Sequence, residues 1–254
     1  MWFRYRWLAL GVLFALLSAA VAACGVATPA PVAAEAPITP VVSNNGGIES
    51  VAYVDDAGNA STDSTALENA SDQITTDALS DAEVEGLLYM REEEKLARDV
   101  YLTLYDEWGV PVFQNIANSE QTHTNAVRNL LDRYDIEDPV ADNDVGVFVN
   151  STLQALYDQL VEEGSRSLAD ALRVGAAIEE IDILDLEERI AQTDNSDIQL
   201  VFENLMKGSR NHLRAFISNL KRQAGETYQP QYLSQAAFES IVDAPTERGR
   251  GRGS

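Results

Sequence analysis

The sequence predicts an all-α fold: a four-helix bundle built from two helical hairpins joined by a longer crossover connection, with short accessory helices. Three observations predict it. Apolar residues recur at three- and four-residue steps through four long segments, the period of helices that bury one face. Capping and helix-stopping residues bound those segments. Each apolar stripe is interrupted, on its core-facing line, by a carboxylate or an imidazole, and the order of interruptions repeats between the two halves.

Ser80-Asp81-Ala82-Glu83 is a capping box opening a helix that runs to Trp108, where Gly109 and Pro111 stop it. The second helix spans residues 112–134 and ends before Asp138-Pro139. Ser151-Thr152-Leu153-Gln154 caps a short helix closing at Gly164, and Ser167-Leu168-Ala169-Asp170 caps a long one reaching about Gln192. Asn195-Ser196-Asp197 starts the last long helix. It ends at Lys221 and Arg222, cations that suit a helix C-terminus, and Gly225 stops it. An apolar segment at residues 232–242 is expected to pack back on the bundle.

In the first helix Leu87, Met90, Ala97, Tyr101, Leu104 and Trp108 form the core stripe, and Glu94 completes its period; Glu92 and Glu93 fall off that line and are expected in solvent. In the second, Glu120 and His123 lie one turn apart within the stripe of Phe113, Ile116, Ala117, Val127, Leu130 and Leu131. The third helix places Glu179, and Asp182 one turn on, among Leu172, Ala176, Ile183 and Leu186, while Glu180 points to a wetter face with Glu187 and Glu188. The fourth places Ser209 and His212 among Val201, Phe202, Leu205, Leu213 and Phe216. Both histidines of the chain therefore sit on core stripes. Burying a carboxylate costs several kcal/mol unless a cation, a metal or a proton compensates, and Glu-x-x-His on a bundle helix points to a metal ion. The competing account pairs the buried acids with Arg98 or Arg214 and leaves each histidine as a hydrogen-bonded core residue.

The spacing from Glu94 to Glu120 nearly repeats between Glu179 and Ser209, and Glu94-Lys95-Leu96-Ala97-Arg98-Asp99-Val100-Tyr101 is similar to the Glu-x-x-Ala-Arg-x-x-Tyr pattern of the rubrerythrin branch of the ferritin-like superfamily. Residues 92–101 and 208–216 further resemble a bacterial ferritin-like family known only as a domain of unknown function. The resemblance covers residues 79–242. It implies Glu94 and Glu179 as terminal metal ligands, Glu120 as a bridging carboxylate, His123 and His212 as imidazole ligands, and Tyr101 as a hydrogen-bonding partner behind them. Ser209 departs from the pattern, since full di-iron members have glutamate there; Asp182 partly compensates as an extra carboxylate. The expected cofactor is one or two iron ions, with manganese, zinc and copper admitted by the same donors. The implied chemistry is oxidation of ferrous iron or reduction of oxygen or peroxide. The alternative is a non-catalytic helical interaction module of the cell envelope with a degenerate site.

Outside this domain (residues 79–243) the chain carries three further segments. Residues 1–23 combine Arg4 and Arg6 with an uncharged apolar run and read as an export signal. It ends in Val21-Ala22-Ala23-Cys24, which resembles the lipobox of bacterial lipoproteins, where the cysteine is acylated. The protein is accordingly expected to be exported and lipid-anchored to the bacterial cell envelope. Cys24 is the single cysteine, so no intramolecular disulfide can form and no Cys-x-x-Cys pair is present. Any electrons are expected from the substrate or a partner. Residues 24–78, rich in Ala, Pro, Ser, Thr and Asp, are expected to form a disordered acidic tether with a reach of about 40 Å. Residues 244–254 are expected to form a disordered Gly/Arg tail. A net charge of −23 excludes nucleic acid as a partner. The partners expected are the membrane, through the anchor at Cys24, an electron donor or envelope protein, and a second copy in a homodimer.

Overall fold

The structure, a computed structural model, describes residues 52–54, 60–62, 64–141 and 143–247. The signal segment, Cys24, the tether as far as residue 51 and the tail beyond Glu247 lie outside the described residues. Four long helices carry the fold. Helix α2 (Asp81–Trp108) opens at the expected capping box: the Ser80 hydroxyl accepts from Glu83 N, and the Ser80 N–H donates to Glu83 Oε2 (2.7 Å). Helix α3 (Pro111–Arg133) begins with its proline at the first position, where the missing N–H costs nothing. Helix α5 (Leu168–Gln192) is capped by Ser167, and α6 (Ser196–Ala224) is closed by Gly225 in the left-handed conformation. The short helices are α1 (Ser64–Ser71), α4 (Ser151–Gly164) and α7 (Gln235–Val242). The cap of α4 is Asn150, one residue before the expected serine; its side chain accepts from Thr152 N and Leu153 N.

α2 pairs with α3 and α5 with α6, and the two hairpins meet along α2–α5 and α3–α6. Tyr101 bonds Glu179 and Tyr89 bonds Asp185, so α2 and α5 run antiparallel. Ser119 bonds His212 and Tyr134 bonds Asp197, so α3 and α6 do likewise. Because each hairpin is itself antiparallel, α3 and α5 run the same way, and the chain must travel the bundle's length between them. The connection does so along α2. Midway along α2 Glu92 accepts from Val149 N (2.9 Å) and Asn150 N (3.0 Å); at its C-terminal end the Trp108 indole donates to Gly164 O (3.0 Å).

That connection buries acids that the stripe left in solvent. Glu92 and Glu93 are both buried, because α2 is covered on a second face by the connecting segment and by α5. Beside them, Lys95 donates to Asp99 and to the carbonyls of Asp144 (2.9 Å) and Val147 (3.2 Å), and sits over the Phe148 ring. Asp99 also accepts from Arg98 and from Gly146 N (2.9 Å). Gly146 has φ 78°, and a Cβ there would meet the Tyr157 ring at 2.7 Å, so only glycine fits the turn. Asp99→Ala strands a buried ammonium, and a loss of about 3–5 kcal/mol in denaturant unfolding is expected.

Two parts of the expected boundaries shift. A short antiparallel ladder, β1 (Ala52–Val54) with β2 (Ala60–Thr62), and helix α1 occupy the stretch assigned to the tether. Leu67 of α1 is fully buried in the core cluster with Val127, Leu130, Leu131 and Val201. At the other terminus Glu247 is engaged by Arg210 (2.6 Å), Arg214 and Asn211, so the tail is anchored to α6 at its start. Glu180, expected on a wet face, is buried and accepts from the backbone N–H groups of Gln231, Tyr232 and Leu233, fixing the segment that leads into α7.

Candidate metal centre

The side chains that interrupt the four stripes meet at the middle of the bundle. Glu120 of α3 lies between the two imidazoles: its Oε2 is 2.8 Å from His123 Nδ1 and its Oε1 is 2.7 Å from His212 Nδ1. Each ring has a carboxylate of its own from a neighbouring helix. His123 Nδ1 is 3.2 Å from Glu94 Oε2 on α2, and His212 Nδ1 is 3.5 Å from Glu179 Oε2 on α5. Glu94, Glu120 and His123 thus form one group, and Glu120, Glu179 and His212 a second, each with ligand atoms within 4.8 Å of one another. All five residues are at most 2% exposed. The rings stack 5.4 Å apart, so the groups are side by side.

Among the described residues no lysine or arginine is paired with these acids. Arg98 is spent on Asp99 and Gln121, and Arg214 on Glu247, Asn211 and Ile241 O. Without a cation the centre is held together by protons. Burial pushes Glu94 up to about 8 against the pull of His123, and it raises Glu179 as well. Burial opposes charge on the rings too, but Glu120 and Glu94 hold His123 well above the usual imidazole range, and Glu120 and Glu179 bring His212 up to about 9. Glu120 would also be raised by burial, yet the two histidines keep it ionised well below the usual carboxylate range. Three carboxylates and two imidazoles converging in a dry interior fit divalent transition metals. Buried atoms remain to be satisfied there as well: Glu94 Oε1 has no hydrogen-bond partner, and His212 Nδ1 is aligned with neither of its carboxylate neighbours.

The surrounding side chains orient the donors. The Tyr101 hydroxyl, kept protonated by burial and by Glu179, donates to Glu179 Oε1 (2.7 Å). Ser119 Oγ is 2.9 Å from His212 Nε2 and fixes that ring, the kind of support on which ligand orientation depends. Ser209 faces Asp182: its hydroxyl bonds Asp182 Oδ2 and Leu205 O, so it acts as a hydrogen-bonding residue. Asp182 stands beside both groups and outside each of them. Burial and the nearby Glu94, Glu120 and Glu179 raise it well above the usual carboxylate range, and its Oδ1 is unbonded.

Two features of the centre were not read from the sequence. Ser119 carried no signal beyond its place next to Glu120. Gly208 did carry one, since glycine inside a long helix is costly and calls for a close approach. A Cβ at Gly208 would lie 2.5 Å from His123 Nε2. Gly208→Ala must displace that ring or part α3 from α6, and a loss of about 1–3 kcal/mol in thermal unfolding is expected, with weakened metal binding.

Residues 83–245 match the family described as Uncharacterized protein domain (DUF2202). Among individual proteins, the chain is 56% identical over 174 residues to the uncharacterized protein MJ0754 of Methanocaldococcus jannaschii, covering 68% of this chain and 94% of that one. The crystal structure of that hypothetical protein is similar to this one with a TM-score of 0.67 at 55% identity, over 68% of this chain and 99% of its own.

Proposed function

Because the chain belongs to the DUF2202 family, whose match spans all four long helices, we propose that it is a ferritin-like protein binding iron, or a similar transition metal, in the two groups that share Glu120. The observation that carries this reading is Glu120 itself, a buried carboxylate placed between two imidazoles that each have a second carboxylate and no basic partner. The parallel run of α3 and α5 supports the ferritin-like layout. Glu94 and His123 would hold one ion, Glu179 and His212 the other, and Glu120 would bridge them.

Bound iron would supply one-electron redox chemistry toward ferrous iron, oxygen or peroxide. The protein's own residues supply the rest. Glu120 keeps the charge that draws a cation in, Tyr101 and Ser119 hold Glu179 and His212 in place, and the apolar stripes keep water out. The protein would act outside the cytoplasm, tethered at Cys24, with electrons from its substrate or an envelope partner. A second reading, a helical interaction module with a degenerate site, is favoured by Ser209, whose hydroxyl is spent on Asp182 and Leu205 O where a further carboxylate ligand would stand.

One experiment separates the two. The purified protein is loaded with ferrous iron without oxygen, bound metal is counted, and oxygen or peroxide is then added. Tight binding followed by an absorbance change supports the redox protein. A folded chain that binds no metal leaves the interaction module.

A further inference from the structure

The connection between the two hairpins holds the sequence Val145-Gly146-Val147-Phe148-Val149, and its three valines are the exposed large apolar side chains among the described residues. They do not lie on a loose loop. Side chains of α2 and α4 take up its backbone: Lys95 donates to the carbonyls of Asp144 and Val147, Asp99 accepts from Gly146 N, and Glu92 accepts from Val149 N and Asn150 N. Gln154 donates to Gly146 O (2.8 Å) and accepts from Phe148 N (3.1 Å). Phe148, between two of the valines, is buried against Tyr157 and under Lys95. With these groups turned inward, Val145, Val147 and Val149 stand outward as a fixed apolar ridge. Burying Glu92, Lys95 and Asp99 to hold a loop is costly, and what it secures is the outward display of valines that add little to the core.

Glu94 leaves α2 toward His123, whereas Glu92, Lys95 and Asp99 leave it toward the loop, so one helix, about 10 Å thick, separates the ridge from the first ligand group. The setting is acidic. Residues 134–165 contain eight aspartates and glutamates and no lysine, arginine or histidine, and Asp144 and Asp158 are exposed beside the valines, the latter bonded by Gln154. Three side chains expose far less than the roughly 800 Å² per partner of a stable complex, but redox encounters occupy the small end of the range. A bilayer suits the ridge less well, since no exposed aromatic or basic residue flanks it and the acidic surface repels anionic lipid.

We propose that the ridge is the docking surface for an electron-donor protein whose own apolar patch is rimmed by lysine or arginine, and that the donor passes its electron across α2. In each encounter the donor's reduced cofactor loses one electron and a ferric ion in the Glu120 centre gains it, becoming ferrous, with no atom exchanged. The proposal rests on the reading that the centre holds redox-active iron, and adds the donor's landing point.

Cytochrome c, a small basic haem protein that carries one electron, is the probe. In calorimetric titration of the purified full chain at low salt it is expected to bind, with affinity reduced about tenfold by Val147→Ser combined with Val149→Ser, and several-fold by Asp144→Asn. All three side chains are exposed, so melting and iron content should stay at wild-type values. No binding by the wild type overturns the ridge, as does binding that the serines leave undiminished, which would place the probe on acidic surface elsewhere. Sedimentation with phosphatidylcholine or phosphatidylglycerol vesicles, abolished by the serines, would overturn it in favour of a membrane contact. Those outcomes leave the centre standing, because iron is counted separately. A chain that binds no iron sinks the centre and the donor's role together, whatever the cytochrome does.

Discussion

Glu120→Gln is expected to empty both ligand groups at once, whereas Glu94→Gln and Glu179→Gln each empty one. The asymmetry follows from the geometry: Glu120 contributes one oxygen to each imidazole, while Glu94 and Glu179 each serve a single ring. Loss of an outer supporting residue alone costs metal sites 10–100-fold in affinity, so removing the shared anionic donor should cost at least about 100-fold for both ions. Isothermal titration with cobalt(II) or anaerobic ferrous iron reads this directly. Equal losses in all three variants would mean that the groups do not share Glu120. Stability should respond differently: in the metal-free chain the amide removes the counter-ion the two rings share and leaves each with one outer carboxylate, which weakens their hold on a proton.

The metal-free protein should become less stable as pH rises from mildly acidic to alkaline values, and the metal-loaded protein should show the reverse slope. Folding lifts Glu94 from 4.5 to about 8, mainly by burial, so between those values the native chain holds a proton that the unfolded chain has lost. His212, lifted from 6.5 to about 9 against the opposing effect of burial, adds stability that is complete below 6.5 and gone once pH passes about 9. Both groups act with the same sign. Glu120 acts oppositely, since its depressed ionisation adds stability above the usual carboxylate range and loses it in acid, which sets the lower edge of the optimum. The combined effect is on the order of a few kcal/mol, or roughly 5 °C or more in melting temperature between pH 6 and pH 9. Metal must displace these protons to bind, so its affinity climbs with pH and loading releases acid. Melting curves with and without chelator check both slopes. A metal-free curve that rises with pH would show that the rings are neutral in the fold.

Legibility in the sequence followed which surface each side chain packs against. Residues facing the central seam announced themselves, because Glu94, Glu120, His123, Glu179 and His212 interrupt apolar stripes of regular period, and the structure gathers these five in one place. The long helices were legible from Ser80, Gly109, Ser167 and Gly225, whose side chains or backbone cap them as read. Glu92, Glu93 and Glu180 were misread for one physical reason. A single-seam helical wheel treats the far face of a helix as wet, but here the connection covers α2 and the segment before α7 covers α5, so those carboxylates are buried as acceptors for backbone N–H groups or beside another acid. Helix α1 was missed because eight residues have little helical stability alone; its order comes from docking Leu67 against α3 and α6, a tertiary effect that no local pattern carries. Ser209 could be named but not interpreted, since its bond to Asp182 spans two helices.

The division of ligands between hairpins has a consequence for how the chain reaches its native state. Glu94, Glu120 and His123 all belong to α2 and α3, and Glu94 and His123 are only 29 residues apart, whereas His212 meets the α3 turn carrying Glu120 across a separation of 93 residues, measured at Ser119. Closing the short loop is entropically cheap and fast; bringing the second hairpin in is the slow, non-local event. A nascent chain can therefore complete its first ligand group before the α5–α6 hairpin exists, and the second group comes into being only when the halves dock on Glu120. Metal present during refolding should bind an intermediate and raise the rate of docking, so that the centre acts as a nucleus for assembly as well as its product.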